Sequence, residues 1–412
     1  MRYVENVESD GKTTVFSVVV LCFFIALIDG FDSHSLSYVA PAMRQDLGLD
    51  LEQFGTVFSA GYAGNFIGTL AIGFAADRYG RRRLLVLCLA LMGIFTLACA
   101  VAPDATTLAI FRFLGGLGMG GAFAPLGVLV ADHTSARVRS ALVVLMYSGI
   151  PLGAAVGGGA SGLLMASYGW HFIFIIGGTI ALLLVVPALL VTKERVPEVG
   201  ASHDDLRLSF VGAVKGLLAG GRAPSVVALW TGVFVSYILT GFLVSFMPTL
   251  IHFGGYSVSQ SAYAATLYQL GAVCGSFVIS LVVGRFGPFR TVIAWFALGG
   301  LLVFMLGFTL GGGGAALFII LFAVGACLTG GHGGSPAMAL QLFPERLRGT
   351  GIGTTLAVVR SGSILGPIIG AALLAAGLTV QLTLAVFAVL SLVSAALVFV
   401  ALMKRPDPSL AD

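Results

Sequence analysis

Asp29, Asp32, Arg112, His332 and Arg360 are the residues that could do chemistry inside otherwise apolar stretches of this chain. The two acids belong to the run Asp29-Gly30-Phe31-Asp32, within an apolar segment of residues 14–40. Crossing a bilayer takes about 20 apolar residues, so this segment is long enough to span one. Charge at that depth is expensive and faces a packed interior, a water-filled cavity or a cation. A carboxylate that gains and loses a proton there is a coupling device. At 1.5 Å per residue, Asp32 lies roughly 12 Å below the outer end of its segment, and Arg112 roughly 8 Å below the outer end of segment 107–131. The two are therefore placed to pair. The cation favours the ionised carboxylate while burial disfavours it, and a site held between these influences can load and release a proton. On this reading Asp32 carries the proton, Asp29 supports it and Arg112 tunes it. The competing reading is a static ion pair.

Arg360 falls roughly 15 Å into segment 350–376, near its middle. No acid lies in the apolar segments of its own half of the chain. Asp29, Asp32 or the carboxylate of a ligand are its available counter-ions. Arg grips a carboxylate bidentately, so Arg360 is the candidate to hold one, with backbone carbonyls or a first-segment acid as competitors. His332 could donate to a ligand or relay a proton, or could be a packing histidine. His34, half a turn past Asp32, is a weaker candidate of the same kind. Phe31, Trp230, Tyr237, Phe246, Tyr268 and Gln269 lie at depths suited to a central pocket. As a group they offer the apolar wall with a few polar atoms that small-ligand pockets have, and some should line the site; each alone reads rather as packing.

The elements that must position these residues follow from composition. The chain has 412 residues, 58% hydrophobic and 10% charged, with a mean hydropathy of +1.02. A soluble protein carries about 25% charged residues. The expectation is an all-α polytopic membrane protein of twelve transmembrane helices. The segments are 14–40, 53–75, 83–102, 107–131, 140–165, 170–192, 225–251, 260–283, 289–310, 315–342, 350–376 and 380–403. A polar stretch divides them into an N-terminal six-helix bundle (1–192), a cytoplasmic linker (193–224) and a C-terminal six-helix bundle (225–412). The first segment is too long for a signal peptide's apolar region and is read as a retained span.

With the N-terminus inside, all 22 Lys and Arg except Arg44, Arg112 and Arg360 fall on the cytoplasmic side. The positive-inside rule then sets both termini in the cytoplasm. The net charge of +4 is thus a topology signal, and nucleic acid is not an expected partner. Cys22, Cys88, Cys99, Cys274 and Cys327 lie in apolar runs without metal-ligand spacing and read as packing residues. No metal or cofactor is expected. No phosphate-binding loop or nucleophile elbow is present, so neither an ATP-driven pump nor an enzyme is expected.

The halves repeat at an offset of about 210 residues. Arg78-Tyr79-Gly80 matches Arg285-Phe286-Gly287, and Gly120-Gly121 matches Gly330-Gly331. Arg137-Val138-Arg139 matches Arg346-Leu347-Arg348. Ser148-Gly149, Gly153 and Gly157 match Ser361-Gly362, Gly366 and Gly370. A parallel repeat of two six-span halves is a transporter architecture with its ligand near the midplane. Small residues on one helix face allow close packing.

The loop after the second segment reads Gly73-Phe74-Ala75-Ala76-Asp77-Arg78-Tyr79-Gly80-Arg81-Arg82-Arg83. It resembles the cytoplasmic signature G-x-x-x-D-R-x-G-R-R/K of the major facilitator superfamily. Asp77 could meet a helix N-terminus of the opposite half, where the dipole favours an anion. Arg78 and Arg81 could pair with acids such as Asp132. Gly73, Asp77, Arg78, Gly80, Arg81 and Asp132 would thus form a cytoplasmic gate, an asymmetric one because Gly284 stands where a second acid would align. The run Asp29-Gly30-Phe31-Asp32 followed by Leu36, Ala40 and Pro41 is similar to the first-span signature of the aromatic acid:proton symporters. So are Arg112 through Gly118, Leu229-Trp230 through Leu250, and Arg360 through Pro367. Asp132 departs from that pattern, where relatives commonly carry Glu. The resemblance implies a proton-driven symporter importing benzoate-like or hydroxybenzoate-like carboxylates across a bacterial inner membrane by alternating access. It would work as a monomer in the lipid bilayer. Carriers of muconate or nicotinate on the same fold, and a proton-driven exporter, are the alternatives.

Overall fold

The computed structural model describes residues 2–134, 142, 145–191, 215–310, 314–343 and 348–405. Within these, the side chains of residues 2–14, 73–79, 81, 123, 124, 128, 131–133 and 348–350 lie outside the description. All regular structure among the described residues is helical. In chain order the helices are α1 (Arg2–Leu47), α2 (Leu51–Tyr79), α3 (Arg81–Cys99), α4 (Ala105–His133), α5 (Gly149–Tyr168), α6 (His171–Leu183) and α7 (Val185–Val191). They continue as α8 (Ala223–Phe253), α9 (Val258–Phe286), α10 (Pro288–Thr309), α11 (Ala315–Gly331), α12 (Ser335–Leu342), α13 (Arg348–Ala375) and α14 (Val380–Met403).

Among the described residues eleven spans are long and apolar enough to cross a membrane, α6–α7 and α11–α12 each counting as one. α2 supplies the twelfth long helix. Its described part is the less apolar for carrying Tyr62, Asn65 and several glycines. The expected spans therefore recur, with shifted ends. α1 runs on to Leu47 with Pro41 inside it, past the expected stop at 40, because Val39, Ala40 and Met43 are all buried and hold the helix against its neighbours. Asp50 caps α2 with a reciprocal capping box to Gln53, satisfying donors a helix start leaves open. Asp104 caps α4 through the Thr107 N–H, a bond that holds its exposed carboxyl below the usual carboxylate range.

The helices group into two compact units. One holds residues 1–197 with Ser257–Thr266, the other 198–256 with 267–412. Inside each unit the repeat is written in glycine. On α5, added Cβ atoms at Gly149, Gly153 and Gly157 would run into Phe23, Leu27 and Phe31 of α1. On α13, the matching Gly362, Gly366 and Gly370 would run into Phe234, Ile238 and Phe242 of α8. Gly120 of α4 meets Asn65 of α2 just as Gly330 of α11 meets Gly275 of α9. Bare backbones in contact gain dispersion where lipid offers no hydrophobic drive. The turns correspond as well: Gly80 and Gly287 hold φ of 91° and 80°, a region other residues rarely adopt.

This packing makes a sharp prediction. Gly153→Ala would press its methyl into the Leu27 carbonyl, whereas Gly159 has nothing within 4 Å of an added Cβ. Overpacking of this kind costs about 1–3 kcal/mol. Detergent-solubilised Gly153→Ala should melt several degrees below wild type and Gly159→Ala alongside it; equal melting of the two would count against backbone contact as the seam.

Candidate functional site

The first unit brings Asp32 and Arg112 together. Arg112 Nη1 lies 3.4 Å from Asp32 Oδ1, and Nη2 donates to the Asp32 backbone carbonyl at 3.2 Å. Both side chains are buried, at 1% and 7% exposure. Burial this complete should bring full hydrogen bonding, yet Asp32 Oδ2 and Arg112 Nε have no protein partner. The contact is single-pronged and longer than the about 2.7–2.9 Å of a tight charge-assisted bond.

Beside it lies a cavity of about 40 Å³, room for a few waters. Ser33 and Leu36 of α1, Phe58, Tyr62 and Asn65 of α2, and Arg112 and Met119 of α4 line it. Tyr62 and Asn65 escaped the sequence reading, although two polar side chains in one span were a visible signal. Cys99 also lies in the electrostatic neighbourhood of the pair. Asp29 is half-buried three residues earlier on α1. His34 Nδ1 is bonded to the Gly30 carbonyl at 2.9 Å, and its ring faces Tyr38. Phe31 is buried against Gly157 and Gly177. Its repeat counterpart Phe242 packs on Gly370 in the same manner, so the position serves helix packing in both halves.

The second unit gathers Tyr237, Thr240 and His332, with Arg360 in electrostatic reach of Tyr237. Hydropathy read residues 315–342 as one continuous helix, and the structure breaks it. α11 ends at Gly331, His332–Gly334 form a 3₁₀ turn, and α12 restarts at Ser335 with Pro336 in its first turn. Glycines on both sides of His332 weaken the α-helix and the proline supplies no N–H. The Tyr237 ring lies 3.8 Å from the imidazole, centre to centre. Thr240 Oγ1 is 2.9 Å from His332 Nε2 and donates to the Ser236 carbonyl at 3.1 Å. His332 Nδ1 is buried with no partner.

The remaining candidates are spread through the same unit. Trp230 Nε1 donates to Thr355 Oγ1 at 3.0 Å. Tyr268 Oη bonds Thr329 Oγ1 at 2.7 Å. Gln269 is buried with Oε1 unpartnered. Phe246 sits in an aromatic stack with Phe242, which faces Phe387. Thr240 escaped the sequence reading because a threonine inside a helix is unremarkable. The repeat could have found it: Leu27 corresponds to Ile238 and Phe31 to Phe242, so Thr240 stands where Asp29 does.

Of the gate residues, Gly73, Asp77 and Arg78 lie on α2, Arg81 begins α3 and Asp132 lies near the end of α4. Their side chains lie outside the described residues, as do Arg137 and Arg139 entirely. Among the described residues no cluster of His, Cys, Asp and Glu could hold a metal ion.

A repeated unit of six spans, with a buried carboxylate–guanidinium pair in one copy and a broken span in the other, frames the comparison with known proteins. The sequence matches the Major Facilitator Superfamily over residues 22–254 and again over 229–412. The chain belongs to the Major Facilitator Superfamily. It is 33% identical over 389 residues to the 4-hydroxybenzoate transporter PcaK of Pseudomonas aeruginosa, covering 87% of this chain and 86% of that one. It is 31% identical over 390 residues to the gallate transporter of Pseudomonas putida, covering 89% and 87%. Among solved structures, a bacterial homolog to the human lysosomal transporter Spinster, inward-facing and occupied, matches with a TM-score of 0.78 at 19% identity, covering 95% of this chain and 98% of that one. Membership in the Major Facilitator Superfamily, with this fold, makes the protein a membrane transporter rather than an enzyme.

Proposed function

We propose that this protein imports aromatic carboxylates together with protons by alternating access, across a bacterial inner membrane with both termini in the cytoplasm. Two relatives named for ring acids, one for 4-hydroxybenzoate and one for gallate, support the substrate class. The observation that carries proton coupling is the buried Asp32, held by Arg112 through one oxygen while the other stays bare. Asp32 takes up the proton, Asp29 assists, and Arg112 offers the counter-charge when the proton leaves. Arg360 holds the substrate carboxylate in the second unit. His332, Tyr237, Trp230, Tyr268, Gln269 and Phe246 are the substrate-binding candidates of the second unit, and Phe31 and His34 those of the first. Asp77 and Arg78 at the end of α2, with Gly73, Gly80, Arg81 and Asp132, latch the cytoplasmic side until both ligands are aboard. The protein acts as a monomer.

The test is uptake of labelled acids into proteoliposomes with and without an inward proton gradient. The panel holds benzoate, hydroxybenzoates, muconate and nicotinate. Gradient-driven accumulation of a ring acid supports the proposal. Accumulation of muconate alone moves the substrate class to aliphatic diacids, and accumulation that ignores the gradient removes the proton from the mechanism.

A further inference from the structure

The 3₁₀ turn at His332–Gly334 interrupts its span among buried residues. Irregular backbone at membrane depth is tolerated where it is buried in protein or lines a cavity, and interrupted spans present ligand groups in transporters. The His332 side chain is also specifically wired. The Thr240 hydroxyl has one hydrogen, and the Ser236 carbonyl takes it. With the hydroxyl hydrogen so assigned, Nε2 is the protonated nitrogen and donates to Thr240 Oγ1. Nδ1 is left as a lone-pair acceptor. It is buried and has no partner, a state that calls for an explanation in a folded protein. The half-buried Tyr237 ring lies across the imidazole, and Tyr237 in turn lies in the field of Arg360. One unit thus carries a fixed cation suited to a carboxylate and a fixed acceptor suited to a hydroxyl.

We infer that His332 Nδ1 accepts a hydrogen bond from a ring hydroxyl of the transported acid, which makes the carrier selective for hydroxylated aromatic carboxylates over bare ones. The Tyr237 ring lies against the same imidazole. Thr240 is the positioning residue that fixes the tautomer. The inference rests on the aromatic carboxylate reading above and adds a requirement that reading does not make. A methyl group fills the space of a hydroxyl but donates nothing, leaving Nδ1 bare. Sites built to bond a hydroxyl reject the analogue that lacks it.

The experiment is competition of unlabelled 4-hydroxybenzoate, 3-hydroxybenzoate and their methyl isosteres against a labelled ring acid, in the full-length protein in proteoliposomes. Wild type should prefer the better hydroxylated acid to its methyl isostere by roughly tenfold or more. His332→Leu should bring that ratio close to one, with the loss concentrated in the hydroxylated acid. His332→Asn, which keeps an oxygen acceptor near the Nδ1 position, should retain a preference. Thr240→Val frees the tautomer and should shrink the ratio; it carries the test should His332→Leu fold poorly. Equal competition by both acids in wild type, or an unchanged ratio in His332→Leu, overturns the inference while leaving aromatic acid transport intact. Failure of every ring acid to compete or accumulate removes the substrate reading, and the inference with it.

Discussion

Asp32→Asn is expected to abolish accumulation of a ring acid against its gradient while leaving exchange of internal for external substrate measurable. The side chain keeps its size, so what changes is the capacity to cycle a proton beside Arg112, 3.4 Å away. Removing one charge of a buried pair costs about 3–5 kcal/mol, and roughly 3 kcal/mol is already about 100-fold in an equilibrium that depends on it. Gradient-driven accumulation should fall to the level reached without a gradient, while that cost bears on the folded state. The unpaired Arg112 could lower folded yield, and a second variant separates the effects. Asp32→Asn combined with Arg112→Gln removes both charges, so it should recover protein in the membrane but not accumulation. Uptake by Asp32→Asn with the pH dependence of wild type would mean that the proton travels elsewhere.

Arg360→Lys should weaken substrate binding nearly as much as Arg360→Gln. Lysine keeps the charge but loses the planar fork that meets two carboxylate oxygens at once. A hydrogen bond to a charged partner is worth about 1.5–3 kcal/mol, so a loss of roughly 10–100-fold in apparent affinity is expected. The proton side should remain intact, with Asp32 and Arg112 still paired in the first unit. The measurement is the concentration dependence of uptake at saturating gradient, where KM should rise much more than the maximal rate falls. Full affinity in Arg360→Lys would leave this residue a point charge, and a maximal rate that collapses at unchanged KM would move it from binding to the conformational step.

Much of this was legible in the chain. The spans were readable because apolar length is a one-dimensional property, and the repeat because glycines that meet a neighbouring backbone leave no room for substitution. The pairing of Asp32 with Arg112 followed from depth and from their two spans belonging to one half. The break at His332 did not, because hydropathy passes over glycine and a 3₁₀ turn is no more polar than an α-helix. Phe31 and Phe246 were grouped with the pocket candidates on depth, which says nothing about which way a ring points. In the structure Phe31 lies between helices of its own unit and Phe246 stacks on Phe242. Thr240 was invisible for the opposite reason: its importance lies entirely in the partner it meets, 92 residues away in sequence.

The 3₁₀ turn at His332–Gly334 also resets the angular phase of its span. Three residues at about 120° each, in place of about 100°, advance the helix by about 60° and lengthen it by about 1.5 Å. Everything on α12 is therefore rotated from where an uninterrupted α11 would have carried it. Ser335, Met338, Ala339 and Leu342 form its buried row, with the last three in the core cluster that includes Val292 and Phe296 of α10. A uniform helix would swing that row about a sixth of a turn off its seat. The wheel drawn from residues 315–331 consequently does not describe residues 335–342. Substituting alanine at Gly333, where an added Cβ has 3.8 Å to its nearest neighbour, would favour winding the two pieces into one screw, and the register of α12 would be lost along with the turn.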